Sequence, residues 1–429
     1  MHLQLYSFLE KNNCIYDLQF GFRQKHSTNH ALVSIAQKIQ EAMLQNRLAF
    51  GVFIDLQKAF DTVNHEILLE KLEHYGISEA SNNWFRSYLS NRKQYVSING
   101  IESNITTTLH GVPQGSVLGP LLFLIYINDL HICIKNSSTF HFADDTNLLY
   151  IPDKKTRNRN IVRKLNVDLK SLNNWLLANK ISLNSTKTEL IVFRKKGTDL
   201  PNMKIILNGV KLIPKSKINY LGLLMDEHLT FKDHILTLNA KLNRANNLLA
   251  LSRHYLPQNL IRQLYYAQFN SHLVYGCQIW GQHDINKTIT LQKKAIRLIT
   301  FSPKDAHSSP LFKEISVVKL EDQIKMNNML FVHNILRNES PSHFKDFFYL
   351  HLPNHNFNTR NLINSYYSLP PGSVSLANLQ KNTIQSECAQ NWNKMLKKIP
   401  NLPENSLEVL YFTPEKLKKS LKQMFILSY

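Results

Sequence analysis

The chain has 429 residues, 43% of them hydrophobic, with four cysteines and a formal net charge of +20. That length allows two or three domains with a sizeable core, and that apolar fraction excludes wholesale disorder. Basic residues recur along the chain, at Lys154-Lys155, Arg194 to Lys196, Lys293-Lys294 and Lys416 to Lys422, so the excess points first to a polyanion such as nucleic acid and then to an anionic membrane surface.

In chain order, residues 2–12 carry partial helical periodicity, and Gln19 to Thr28 form a glycine-interrupted basic loop. Ser27 or Thr28 caps a helix with an apolar face of Ala31, Leu32, Ile35, Ile39 and Met43. The run Leu48 to Ile54 reads as a buried strand leading to Asp55. A helix through Ile67, Leu68 and Leu72 stops at Gly76, a second carries Trp84, Phe85 and Leu89, and a basic turn and strand follow at Asn91 to Gly100. Leu109 to Pro120 gathers three glycines and two prolines around Gln114, and Leu121 to Leu130 reads as a helix.

Phe140, Phe142, Leu148 and Tyr150 then alternate as two strands, with Asp144 and Asp145 in the tight turn between them. A long amphipathic helix covers 159–177, and a polar loop, Leu183 to Glu189, opens the strand Leu190 to Phe193. Short strands follow to Asp226, then helices to about residue 300, then a looser helical part with an Asn- and Ser-rich middle from His351 to Ser373. The coarse picture is an α+β domain, a helical domain and a helical tail. The cysteines, Cys14, Cys133, Cys277 and Cys388, are too widely spaced for a zinc knuckle or a disulfide framework and fit a reducing compartment. The longest apolar run, Val117 to Ile127, is too short to span a bilayer and contains Pro120. An intracellular protein, nuclear or cytoplasmic and not bound to membrane, is expected.

Two adjacent carboxylates repel and lose solvation unless a cation holds them. The pair Asp144-Asp145 is either a solvated turn or half of a metal site. Asp55, at the end of a buried strand, supplies the third oxygen donor for a pair of Mg²⁺ ions, with Mn²⁺ an alternative. Asp55 and Asp144 read as ligands bridging both ions and Asp145 as a ligand of one; Asp61 reads as a cap or pairing residue. Phe60 is either an aromatic near a bound sugar or an ordinary core ring. Gln114 is a contact to a nucleotide or template backbone, or a turn residue. Lys187 is a proton donor to departing pyrophosphate, or a plain surface lysine.

In order, these stretches resemble the reverse transcriptase of non-long-terminal-repeat (LINE-type) retrotransposons, particularly the jockey- and chicken-repeat-like groups. The resemblance rests on Phe53 to Asp61, Gly111 to Pro120, Tyr126 to Leu130, Phe142 to Asp145, Leu183 to Glu189, Tyr220-Leu221-Gly222 and the upstream block Gln19 to Leu32. It implies a right-hand polymerase: partial fingers and palm over 1–228, a helical thumb over 229–300 and a helical C-terminal region over 301–429. It implies palm carboxylates at Asp55, Asp144 and Asp145, sugar discrimination at Phe60, a pocket contact at Gln114, a backbone or phosphate contact at Arg23, and a primer grip at Tyr220 to Gly222. RNA template, DNA primer and deoxynucleoside triphosphates are the implied partners. Family members begin further upstream with a basic fingers segment and carry an endonuclease domain, so a truncated reading frame is expected; the alternative function is a silent remnant that binds nucleic acid.

Overall fold

The computed structural model describes residues 1–200, 203–351, 366–368, 383–396, 409 and 412–429. Most of the Asn- and Ser-rich stretch from His351 to Ser373 lies outside them. The chain divides into two compact units, Met1–Ala31 with Asn46–Ser216, and Leu32–Gln45 with Lys217–Tyr429.

In the first unit, Ala49–Ile54 forms β1, and all its residues are buried. A strand without a polar side chain needs cover on both faces, and β1 is placed accordingly, at the centre of a five-stranded sheet. The other strands are β2 (Ser138–Phe142), β3 (Asp145–Tyr150), β4 (Glu189–Phe193) and β5 (Pro214–Lys215), in the spatial order β5-β4-β1-β3-β2. Only the β4–β5 pairing in this sheet is parallel.

Side chains two apart share a face of a strand. Phe50, Val52 and Ile54 of β1 therefore join Leu148, Tyr150, Leu190 and Val192 in one core, together with Leu122, Leu165, Leu169 and Leu172. These last come from two helices of different character. Leu118–Ile127 is apolar nearly all round and nearly all buried, whereas Asn158–Ala178 buries a single stripe. Each fully buried leucine contributes about 2 kcal/mol. Gly51 is required on the opposite face, where an added Cβ would meet the Phe53 ring at 2.8 Å and the Phe193 ring at 3.2 Å.

One polar group inside the stripe is informative. Asp168 is 1% exposed, a costly position for a carboxylate that lacks donors. Its oxygens accept from the backbone N–H of Lys135 and Asn136, from Asn136 Nδ2 and from Ser137 Oγ at 2.7–3.2 Å. The helix thereby holds the turn that feeds β2.

In the second unit, Lys217–Tyr220 and Leu223–Asp226 form an antiparallel hairpin. Helices Lys232–Ser252 and Asn286–Ile299 pack together, linked by buried hydrogen bonds from Asn246 to the Leu291 carbonyl and from Thr288 to Asn239. Gln292 joins them to Tyr265 Oη and to the backbone of Val318 and Leu320. Leu320–Leu336 packs against Ile384–Leu396 and Pro414–Leu427. The mixed α/β architecture agrees with the α+β expectation, and among the described residues no helix is long and apolar enough to cross a membrane.

Candidate active site

The acid hairpin forms as its alternation predicts, with one refinement. Phe142 pairs with Asp145, so the turn is Ala143-Asp144, and Asp145 is the first residue of β3 rather than part of the turn. Two-residue hairpin loops need positive φ, and Ala143 takes φ +54°, which costs a residue with a Cβ about 1 kcal/mol.

Gln19 holds that conformation. Its side chain is buried, and its Oε1 accepts from the Ala143 N–H at 3.0 Å and from the Gly21 N–H at 2.9 Å. The backbone beside it adds to the β2 edge, with the Phe20 N–H donating to the His141 carbonyl and the His141 N–H to the Leu18 carbonyl. Gly21 runs so close that an added Cβ would stand 2.4 Å from the Ala143 nitrogen. The Gln19-Phe20-Gly21 block is thus a clamp on the turn.

Asp55 follows β1 directly. The β1–β3 register ends at Ile54 opposite Thr146, and one step further sets Asp55 beside Asp145. Asn184 ties Asp55 to the polar loop twice: its Nδ2 donates to Asp55 Oδ2 at 2.8 Å, and its backbone N–H donates to the Asp55 carbonyl at 2.9 Å. A bridge between Leu56 and Leu183 continues the contact.

Electrostatics mark the three acids as one cluster. Burial, and then the charge of Asp55, raises the Asp144 carboxyl above its ordinary range, although its own backbone N–H partly offsets this. Asp145 keeps one side open to solvent, yet the protein packed behind it, and then Asp144 and Asp55, push its carboxyl up to about 6. His141 adds no positive charge here, because burial holds its imidazole down at about 3.

The donor set is of the kind that Mg²⁺ takes, hard carboxylate oxygen. Burial first, and then the charges of Asp144 and Asp55, disfavour an ionised Asp145, and a cation would offset both. Among the described residues, no three His, Cys, Asp or Glu side chains stand close enough to hold an ion as they are. The residues fit the ion in chemistry.

The remaining candidates separate. Phe60 is half-buried, stacked on Phe123 with centroids 4.4 Å apart and edge-on to the exposed Phe22 at 6.2 Å. Gln114 is exposed, and its Nε2 donates to Asp61 Oδ1 at 2.9 Å, which makes Asp61 a pairing residue. Both line an open cleft of about 800 Å³ with Lys58, Arg92, Lys93 and His110. Lys187 is exposed on the loop that carries Asn184.

Arg23 is engaged elsewhere. Its side chain is 7% exposed, forms a two-pronged ion pair with Glu10 at 2.8 and 3.0 Å, and donates to the Tyr16 carbonyl. In the second unit, Leu221 and Gly222 form a hairpin turn with φ +46° and +80°. Tyr275 Oη donates to the Leu221 carbonyl, and Tyr220 is buried.

Sequence reasoning named the acids but missed Gln19 and Asn184 as their supports. The single hint was the placing of Gln19 immediately before Phe20 and Gly21 in the upstream block.

Residues 1–225 match the family described as reverse transcriptase (RNA-dependent DNA polymerase). The curated "Probable RNA-directed DNA polymerase from transposon BS" of Drosophila melanogaster is 28% identical over 364 residues, 79% of this chain and 38% of that protein. The "RNA-directed DNA polymerase from mobile element jockey" of the same organism is 29% identical over 324 residues, 72% of this chain and 34% of that protein. The chain therefore spans between a third and two-fifths of these relatives' length. A solved telomerase from Candida albicans matches 75% of this chain and 53% of that one at 15% identity, with a TM-score of 0.37, too loose a likeness to bear on the fold.

Proposed function

The chain belongs to the reverse transcriptase (RNA-dependent DNA polymerase) family, and from that premise we propose that it extends a primer 3′-hydroxyl with deoxynucleoside triphosphates on an RNA template. Its homology is to the reverse transcriptase regions of transposon and retroelement proteins. Within these we place it with the jockey- and chicken-repeat-like elements. In the same reading residues 1–228 are partial fingers and palm, 229–300 the thumb and 301–429 a helical extension.

The observation that carries this reading is the placing of Asp55, Asp144 and Asp145 at the ends of adjacent antiparallel strands, near enough that the charge of Asp55 raises the proton affinity of both Asp144 and Asp145. These three side chains would hold two Mg²⁺ ions. When bound, the ions would lower the pKa of the primer hydroxyl and neutralise the leaving pyrophosphate. The protein's own share is positioning. Asn184 fixes the Asp55 carboxylate from one side, and Gln19 fixes the turn that carries Asp144. Lys187 supplies charge, or a proton, to the departing phosphate. Gln114 lies in the nucleotide and template pocket, and Tyr220 to Gly222 grip the primer. Arg23 in this reading braces the N-terminal helix through Glu10.

Primer extension on an RNA template with purified protein and Mg²⁺ tests the reading. Incorporation of deoxynucleotides supports it; none, together with salt-sensitive RNA binding, favours the silent nucleic-acid-binding alternative.

Phe60→Val opens the space that the ring bounds between Phe22 and Phe123. The preference for deoxy- over ribonucleotides, read as a ratio of kcat/KM, falls by about 10- to 100-fold. An unchanged ratio in an active enzyme returns Phe60 to the core.

The acids also set a pH dependence. Asp145 has its folded pKa raised to about 6, above its ordinary value, so its contribution to stability is fully present below pH ~4 and lost as pH rises through ~6. A cation relieves the repulsion only where the group is ionised. Mg²⁺ therefore raises Tm more at pH ~8 than at pH ~5, and Asp144→Asn shrinks the difference. Equal Mg²⁺ effects at both pH values would contradict the shared site.

A further inference from the structure

Three aromatic rings run from the core to the surface beside the acid turn. Phe123 is fully buried, Phe60 stacks on it half-buried, and Phe22 meets Phe60 edge-on with its own ring 55% exposed. A single exposed apolar side chain is ordinary on a protein surface. The backbone beneath this one is not. Phe22 takes φ +56°, a left-handed conformation that glycine or asparagine adopts easily and a bulky side chain adopts at a cost. Strain of this kind persists where the surroundings impose it, and it gathers at ligand sites. Here the surroundings are the clamp on the turn. Gly21 packs against the Ala143 backbone, and Gln19 Oε1 accepts from both N–H groups. Phe22 therefore stands one residue from the contact that steadies Asp144.

Phe60 is fixed from within. Its carbonyl accepts from the Val112 N–H at 2.8 Å, and its ring lies on Phe123 with 24° between the planes. On the solvent side it meets Phe22, whose plane stands at 83° to its own. Two rings near a right angle form an apolar corner, open to solvent where Phe22 is exposed. A 2′-deoxyribose presents its C2′ methylene to such a corner without loss. A ribose would bring a hydroxyl that neither ring can satisfy by hydrogen bonding.

We infer that Phe22 forms the second wall of the sugar site: it takes the deoxyribose of the incoming triphosphate against its ring and holds Phe60 at the angle that excludes a 2′-hydroxyl. This role presupposes the polymerase activity proposed for the acid cluster, and it adds a specificity-determining residue from the clamp loop.

The test is single-nucleotide primer extension with dGTP and with GTP, kcat and KM read separately, beside thermal melting. Glycine adopts a positive φ without the penalty of a side chain, so Phe22→Gly deletes the ring and leaves Tm within about 2 °C of the parent. Its preference for dGTP, as a ratio of kcat/KM, falls by about 3- to 10-fold, through a higher KM for dGTP more than through kcat. Phe22→Tyr keeps the ring and with it the parental ratio. Because the two walls act together, Phe22→Gly placed on Phe60→Val changes the ratio by less than about 2-fold.

An unchanged ratio in the folded, active Phe22→Gly protein overturns the inference, and so does a Tyr variant as impaired as the Gly one. A Tm lowered by several degrees, with both nucleotides slowed alike, makes Phe22 a residue of the fold and also overturns it. Weaker RNA-template binding at an unchanged ratio moves the ring to the template strand, against the inference again. If the parent extends no primer, the polymerase reading fails by itself, and the corner is read without turnover. The readout is then the Tm shift given by Mg²⁺ with dGTP against that given by Mg²⁺ with GTP. A larger shift with dGTP that Phe22→Gly abolishes upholds the corner; equal shifts in the parent, or a difference kept in the variant, overturn it.

Discussion

Asp144→Asn removes primer extension while leaving the protein folded. The expected loss is at least about 10³-fold, on the order of 4 kcal/mol of transition-state stabilisation. The substitution keeps the shape of the side chain and deletes the charge from the tip of the turn, so it isolates the electrostatic contribution. The stability change is the informative control. The Asp144 carboxyl is raised by burial and by Asp55, so its ionised form strains the fold at neutral pH. The Asn variant therefore melts at the parental temperature or slightly above it. A carboxylate retained at a cost to the folded state is the mark of a group kept for its chemistry. Extension at the parental rate in this variant would remove Asp144 from the site, and extension lost together with a fallen Tm would point to damage instead.

Gly21→Ala is the second large effect, and it acts from outside the acids. Its Cβ would stand 2.4 Å from the Ala143 nitrogen and 3.1 Å from the Ala143 Cα. These are backbone atoms, so the clash is relieved only by moving the hairpin or the clamp. Overpacking of this kind costs about 1–3 kcal/mol, which lowers Tm by several degrees in a chain of this size. Displacing the turn by even ~1 Å lowers extension by about 10²-fold. Gln19→Ala reaches the same turn by another route, leaving the Gly21 and Ala143 N–H groups without their acceptor at a cost of about 1–3 kcal/mol. Thermal melting and single-turnover extension on the two variants check both. If extension by Gly21→Ala matches the parent, the clamp has no hold over the chemistry.

The local elements were legible because their causes are local. An uninterrupted apolar run makes β1, alternation makes the acid hairpin, and the 3.6-residue stripe of 158–178 makes a helix. Which side chains of β1 share a face also follows from their spacing of two. The acids at Asp55, Asp144 and Asp145 could be named from the chain alone, since side-by-side carboxylates among buried apolar residues need a reason to be there.

Only the tertiary structure assigned the partners. Gln19 accepts from a residue 124 positions away, and Asn184 donates to one 129 positions away. Neither residue differs, as a letter in a polar loop, from its neighbours. Arg23 illustrates the same point: the resemblance implied a backbone or phosphate contact there, and only the fold showed its partners within the chain, Glu10 and the Tyr16 carbonyl. Asp145 read as a turn residue beside Asp144, and the strand register moved it onto the first rung of β3, opposite the position that Asp55 would take. By itself the sequence determined β1, the acid hairpin and the helix of 158–178, with the carboxylates that the strands carry, because periodicity and burial act over a few residues. Which polar groups hold those carboxylates in place was decided by the folded chain, because a buried hydrogen bond is satisfied by whatever distant segment the packing brings within 3 Å.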